Sequence, residues 1–133
     1  MLAKKILKEE NYSCVVVKDN ELKHAVIGHG IKPLLMLYKE TPEDIEGSFV
    51  ADKLIGRAAA SILICARVKE AYGEVASRQA VELLEKYNIK IEYNILVEEI
   101  RNKDDSDMCP LEKLVQKISN PVGAVKAIEE FLK

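Results

Sequence analysis

Residues 48–67 read SFVADKLIGRAAASILICAR, and the reading of this stretch decides the fold. Gly47 is a natural stop for whatever precedes it, and Ser48 is a residue type that caps helices. The pattern therefore predicts one long helix from Ser48 to about Arg67. From Leu54 to Ala66 that helix is apolar nearly all round, so it must be central and covered by neighbours. Its run Ala58-Ala59-Ala60-Ser61 lets another backbone come close. Arg57 interrupts the window, which is also too short to span a bilayer.

Toward the N-terminus, Leu2, Ile6 and Leu7 fall on one side of an amphipathic helix, with Lys4, Lys5, Lys8 and Glu9 elsewhere. Residues 12–17 (YSCVVV) are β-branched and apolar on both faces, as in an interior strand. Asp19-Asn20 makes a turn, and residues 22–30 (LKHAVIGHG) return antiparallel. Lys23, His24 and His29 give that second strand the polarity of an edge. A two-residue turn places Cys14 opposite Ala25 and Val15 opposite His24. Residues 31–47 read as a long connection holding one short capped turn at Thr41-Pro42-Glu43-Asp44.

Toward the C-terminus, residues 71–76 form a third strand, and Ser77 caps a helix with Ala80, Val81, Leu84 and Tyr87 at helical spacing. Residues 89–97 alternate, with Ile89, Ile91, Tyr93 and Ile95 inward and Lys90, Glu92 and Asn94 outward. A polar loop follows, then two helices opening at Cys109-Pro110 and Asn120-Pro121. The order is α-β-β-α-β-α-β-α-α, in which the third and fourth strands and their helix form a parallel crossover unit. The expected fold is one three-layer α/β/α domain, residues 1–133, on a mixed sheet.

Bulk properties narrow the function. A chain of 133 residues, 48% hydrophobic and 32% charged, can bury one core without staples. Twenty basic and twenty-two acidic residues are interleaved, so there is no positive footprint for nucleic acid. The N-terminus has no export signal, and three widely spaced cysteines form no disulfide framework. A cytoplasmic location is expected, with no membrane contact.

Three strings add a resemblance. Residues 30–35 (GIKPLL), Ala51-Asp52-Lys53 through Gly56-Arg57-Ala58-Ala59-Ala60, and residues 109–112 (CPLE) resemble a small family of uncharacterised bacterial and archaeal proteins. That family is regarded as a zinc-less offshoot of the cytidine deaminase-like fold. The resemblance covers essentially the whole chain and implies that fold. In a zinc deaminase a His-or-Cys, Ala, Glu triplet opens the central helix, and Pro-Cys-x-x-Cys opens the helix after the third strand. Carried over, these positions fall at Val50-Ala51-Asp52 and near Ser77-Arg78-Gln79-Ala80. No ligand stands at Val50, Ser77 or Ala80, and only Asp52 matches the proton-shuttling Glu. Zinc deamination needs a metal-bound hydroxide, so that activity is not expected, and neither a metal nor a cofactor is implied.

The chemistry-bearing residues are few. No CxxC or HxxxH is present, and loop 102–107 lacks the Gly and Glu of a calcium loop. Cys109 falls at a helix N-cap, where the dipole favours a thiolate. However, Glu112 has capping-box spacing to it, would oppose that charge, and equally supports a structural role. Gly28-His29-Gly30 followed by Lys32 could turn N–H groups toward an anion, although Pro33 stands where a dinucleotide fingerprint needs Gly. At the central helix opening, Asp52 shares the positive dipole end with Lys53 and Arg57. These cations are an i,i+4 pair that either awaits an anion or is neutralised by Glu43 or Asp44. Glu74, within an apolar strand, is either a buried partner for such a cation or exposed. Tyr72 and Tyr93 read as packing residues.

Three functional expectations follow. The first is an electropositive cavity binding a small anionic or nucleotide-like metabolite through Gly30, Lys32, Pro33, Asp52, Lys53, Arg57 and Glu74, with residues 31–47 as a cover. The second is a thiol-dependent enzyme or sulfur carrier using Cys109 and Asp52. The third is a non-catalytic subunit whose covered helix and edge strand form a homodimer.

Overall fold

A computed structural model describes residues 1–133 as a mixed five-stranded sheet in the order β2-β1-β3-β4-β5. Helix α1 (Leu2–Glu10) leads into the antiparallel hairpin β1 (Cys14–Lys18) and β2 (Glu21–Val26). Asp19 and Asn20 both take positive φ, 54° and 63°, the geometry that lets a two-residue turn follow the strand twist. A bulge on β2 then shifts the register. Val16 faces His24 and Val17 faces Leu22, leaving Lys23 as the extra residue. Cys14 therefore lies opposite Val26 and Val15 opposite Ala25, one step from the expected pairing.

The long connection is helical. Helix α2 (Lys32–Glu40) buries Leu34, Leu35 and Leu37, and α3 (Pro42–Ile45) buries Ile45. The Leu-rich spacing that drives α2 is the signal the connection reading passed over.

The main correction falls on residues 48–67. Phe49–Ile55 is a strand, β3, and the central helix α4 spans only Arg57–Cys65. Ser48 caps nothing. It lies fully buried with its hydroxyl unpartnered, and its carbonyl accepts the Lys69 and Glu70 N–H groups. The physical reason is the position of β3, antiparallel to β1 and parallel to β4. A strand buried on both faces need not alternate, so its pattern imitates a buried helix.

β4 (Glu70–Ser77) and β5 (Lys90–Val97) continue the sheet in parallel, joined by α5 (Arg78–Lys86). Ser77 caps α5 as expected, its hydroxyl oxygen accepting the Ala80 N–H at 3.1 Å. The chain closes with α6 (Pro110–Val115) and α7 (Pro121–Phe131), the latter capped by Asn120. On β5 the expected inward stripe is incomplete. Ile89 is buried, but Tyr93 and Ile95 are 39% and 50% exposed, because β5 is the sheet edge.

Three layers result, as expected. Helix α1 covers one face through Ala3 and Leu7 against Val15, Val17, Ala51 and Tyr72. The other face carries the larger core, with α4 packed against α5 and α7. No helix is long and apolar enough to cross a membrane.

Candidate functional site

At the carboxyl end of β3 the chain must leave the sheet and turn into α4. A cleft of about 400 Å³ opens there. The exit of the hairpin (Ile27 to Ile31) and the residues of α6's opening complete its walls, which are largely apolar.

The deepest polar contact comes from a distant segment. Glu112 on α6 is buried, and its two oxygens accept the first N–H groups of α4. Oε1 takes Arg57 N at 2.7 Å and Oε2 takes Ala58 N at 2.9 Å. These are orphan donors that a helix start must satisfy. Gly56 makes the approach feasible, since a Cβ there would lie 2.4 Å from Glu112 Oε1 and 2.8 Å from Ile100 Cγ1. Burial raises the Glu112 pKa, while the two N–H bonds and the nearby Arg57 charge oppose the rise. The anion position at the dipole end is thus filled by the protein's own carboxylate. The expected electropositive opening is corrected accordingly.

Asp52 is the other acidic group of the cleft. It sits on β3, half-buried, as the cross-strand neighbour of the buried Cys14. Desolvation raises its carboxyl from 3.8 to about 7, against the pull of N–H groups from Leu54 and Lys53 and of the Cys14 thiol. The Leu54 N–H donates to Asp52 Oδ1 at 3.2 Å. The Cys14 thiol is in turn pushed up by its own burial and then by the Asp52 charge.

Cys109 is the N-cap residue of α6, as expected, and lines this cleft half-buried, so the thiol and Asp52 do share one cavity. No capping hydrogen bond comes from its side chain. The anticipated Cys-x-x-Glu capping box is absent because Glu112 turns to α4 instead. Gly30 and Lys53 also line the cleft. Gly30 has φ 65°, and Lys53 is exposed with Nζ donating to Asn11 Oδ1 at 3.0 Å.

Four expected site residues lie elsewhere. Lys32 is exposed on the first turn of α2, and Pro33 props the Gly28 loop, its Cγ 2.7 Å from where a Gly28 Cβ would be. Arg57 donates to the carbonyls of Val115 and Ile118 at 3.3 and 3.2 Å, tying α4 to the end of α6. Neither Glu43 nor Asp44 reaches it. Asp44 pairs with His24 at 2.9 Å, and the Glu43 carbonyl accepts Lys18 Nζ. Glu74 is on β4 away from the cleft, accepting Tyr72 Oη at 2.6 Å and Asn94 Nδ2 at 2.8 Å. The Tyr72 bond lowers its pKa.

Sequence reasoning missed Glu112 as a structural ligand of α4, and also Ser13. The Ser13 hydroxyl both donates to Gly28 O and accepts Gly28 N, holding the cleft's outer loop. No local signal marks either residue, because each acts across a long sequence gap. At the true helix opening stand Gly56, Arg57 and Ala58 rather than Val50-Ala51-Asp52, and none of these has a metal-binding side chain.

Comparison with known proteins supplies a family and a fold. A family described as a domain of unknown function, DUF1893, matches residues 2–132. The crystal structure of a DUF1893 family protein from Thermotoga maritima superposes with a TM-score of 0.88. It is 28% identical, over 96% of this chain and 85% of that one. RibD of Acinetobacter baumannii, in two forms, overlaps more loosely at a TM-score of 0.47 and 22% identity. That overlap covers 71% of this chain and 33% of that one, too loose to carry an argument. No curated protein matches the chain.

Proposed function

The chain belongs to the DUF1893 family, and from the chemistry of its cleft we propose that it binds a small, nucleotide-like metabolite. The observation that carries this reading is Asp52, a half-buried carboxyl lining a cavity of about 400 Å³ with largely apolar walls, where desolvation raises its pKa to about 7. That volume is in the range of small-molecule sites. Near neutrality such a carboxyl both donates and accepts hydrogen bonds, which suits the N–H and ring-nitrogen edge of a heterocycle. A flat ring packs against Ala58, Ala59, Ile27 and Ile31, and Lys53 and His29, exposed where the cleft meets solvent, suit an anionic tail. Of the two ligand descriptions expected from the sequence, the nucleotide-like one is favoured. Glu112 already holds the helix start against a bare anion.

A second reading has one observation in its favour: Cys109 shares the cleft with Asp52, as a thiol enzyme or sulfur carrier would require.

One experiment addresses both. Nucleobases, nucleosides, nucleoside monophosphates and inorganic phosphate are screened by thermal shift against the wild type, Asp52→Leu, Asp52→Asn and Cys109→Ala, with intact-mass analysis of each mixture. The binding reading expects stabilisation by a heterocyclic compound that is lost in Asp52→Leu, weakened at most in Asp52→Asn, whose amide also donates and accepts, and kept in Cys109→Ala. Ligand at a hundredfold excess over its Kd contributes about 2.7 kcal/mol. Stabilisation by phosphate alone, or by nothing at millimolar concentration, overturns it. A covalent adduct confined to Cys109 supports the thiol reading, and its absence removes that reading.

A further inference from the structure

The two edges of the sheet are built differently. β2 is interrupted by its bulge at Lys23 and points charged side chains outward, devices that blunt an edge. β5 has no bulge, although Lys90 and Glu92 are exposed on it. Its eight residues contain no Pro or Gly, and their register with β4 holds a constant offset from Glu70↔Lys90 to Ser77↔Val97. No backbone hydrogen bond from a loop, turn or helix reaches its outer side. Tyr93, Ile95 and Leu96 are exposed along it. A long, regular edge with exposed apolar side chains and free backbone groups is a template for another strand.

The sequence of β5 is complementary to itself in one antiparallel register. About a two-fold axis at Asn94, Lys90 faces Glu98 of a second copy, Ile91 faces Val97, Tyr93 faces Ile95 and Glu92 faces Leu96, each pair occurring twice, so the register brings together one opposite-charge pair and two apolar pairs. Other registers lose this match. An axis at Tyr93 sets Lys90 against Leu96 and so loses the opposite-charge pair, one at Ile95 sets Glu92 against Glu98, and one at Glu92 opposes that carboxylate to its own copy. The two charged partners, Lys90 at the start of β5 and Glu98 one residue beyond its end, are accessible, with side chains 80% and 75% exposed. Within the chain Lys90 pairs with Glu70 at 3.7 Å and Glu98 with Arg78 at 2.8 Å, so the cross-strand pair forms alongside these surface contacts or in exchange for them.

We propose that β5 is the interface of a two-fold homodimer, pairing antiparallel with its copy at Asn94 to join two five-stranded sheets into one of ten. The occupant is a second copy of this chain because the edge carries both halves of each charge pair, as an isologous contact demands. Cross-strand charge pairs stabilise such a ladder, and like charges directly opposite oppose it. The inference is independent of what the cleft binds.

The test is sedimentation velocity of the full chain over a concentration series, with circular dichroism to confirm folding. The wild type is expected to dimerise and Ile95→Lys to be monomeric. Lys90→Glu and Glu98→Lys should each raise the dimer Kd by about tenfold. The double swap should recover most of the loss, although it abolishes the Arg78 contact as fully as Glu98→Lys does. A monomer at every concentration overturns the proposal and leaves the edge to a strand of another chain. A dimer indifferent to Ile95→Lys, or a double swap no tighter than the singles, overturns it as well.

Discussion

At the residue scale the physics concentrates on Asp52. Its carboxyl titrates near 7 in the folded chain against an ordinary value of 3.8, because burial costs the ionised form more than its hydrogen bonds return. The native state therefore holds the proton more tightly than the unfolded chain does. The contribution to stability is most favourable below about pH 4, and it is lost as pH rises to about 7 and the carboxylate ionises within apolar walls. Asp52→Asn removes that charge. The variant should melt well above the wild type at about pH 8, by a smaller margin at about pH 5, and close to it only below about pH 4, read by calorimetry. An offset of equal size at all three values would contradict the buried-carboxyl account. Such a cost is usual where a residue is kept for chemistry rather than stability.

At the element scale the decisive contact joins α6 to the start of α4 through Glu112. Its carboxylate satisfies two helix N–H groups that nothing else nearby reaches, and Arg57 returns the tie by donating to Val115 and Ile118. Glu112→Ala would leave buried donors without acceptors. It should cost about 2–4 kcal/mol in urea denaturation, since caps contribute about 1 and buried orphan groups more. Glu112→Gln, which keeps one good acceptor, should fall between. A loss below about 0.5 kcal/mol for Ala would mean that water replaces the carboxylate, and α6 would then be no structural part of the cleft. The hairpin teaches a similar lesson. The positive-φ turn at Asp19-Asn20 is a local event and was legible, whereas the Lys23 bulge that resets every partner beyond it was not.

At the scale of the whole molecule, stability is layered. β3 lies in the middle of the sheet between β1 and β4 and beneath helices on both faces. The amides of Val50 and Ala51 should be among the slowest to exchange with deuterium, and those on the outer side of β5 among the fastest in dilute protein. Rapid exchange at Val50 would contradict its central placement. The homodimer inferred above adds that β5 amides slow as protein concentration rises.

The sequence by itself determined the class, the layering and most of the elements. These depend on local spacing: apolar residues at helical intervals in α1 and α5, Ser77 and Asn120 as caps, and a β-branched run for β1. It also singled out Asp52, Lys53, Gly30 and Cys109 as candidates, and the fold brings these four to one cleft. Tertiary structure alone decided the rest. Whether residues 49–55 were strand or helix depended on neighbours on both sides, because a strand buried on two faces carries no period of its own. Whether the helix start was open to an anion depended on Glu112, fifty-five residues from Arg57, and no local pattern encodes a contact made across that distance.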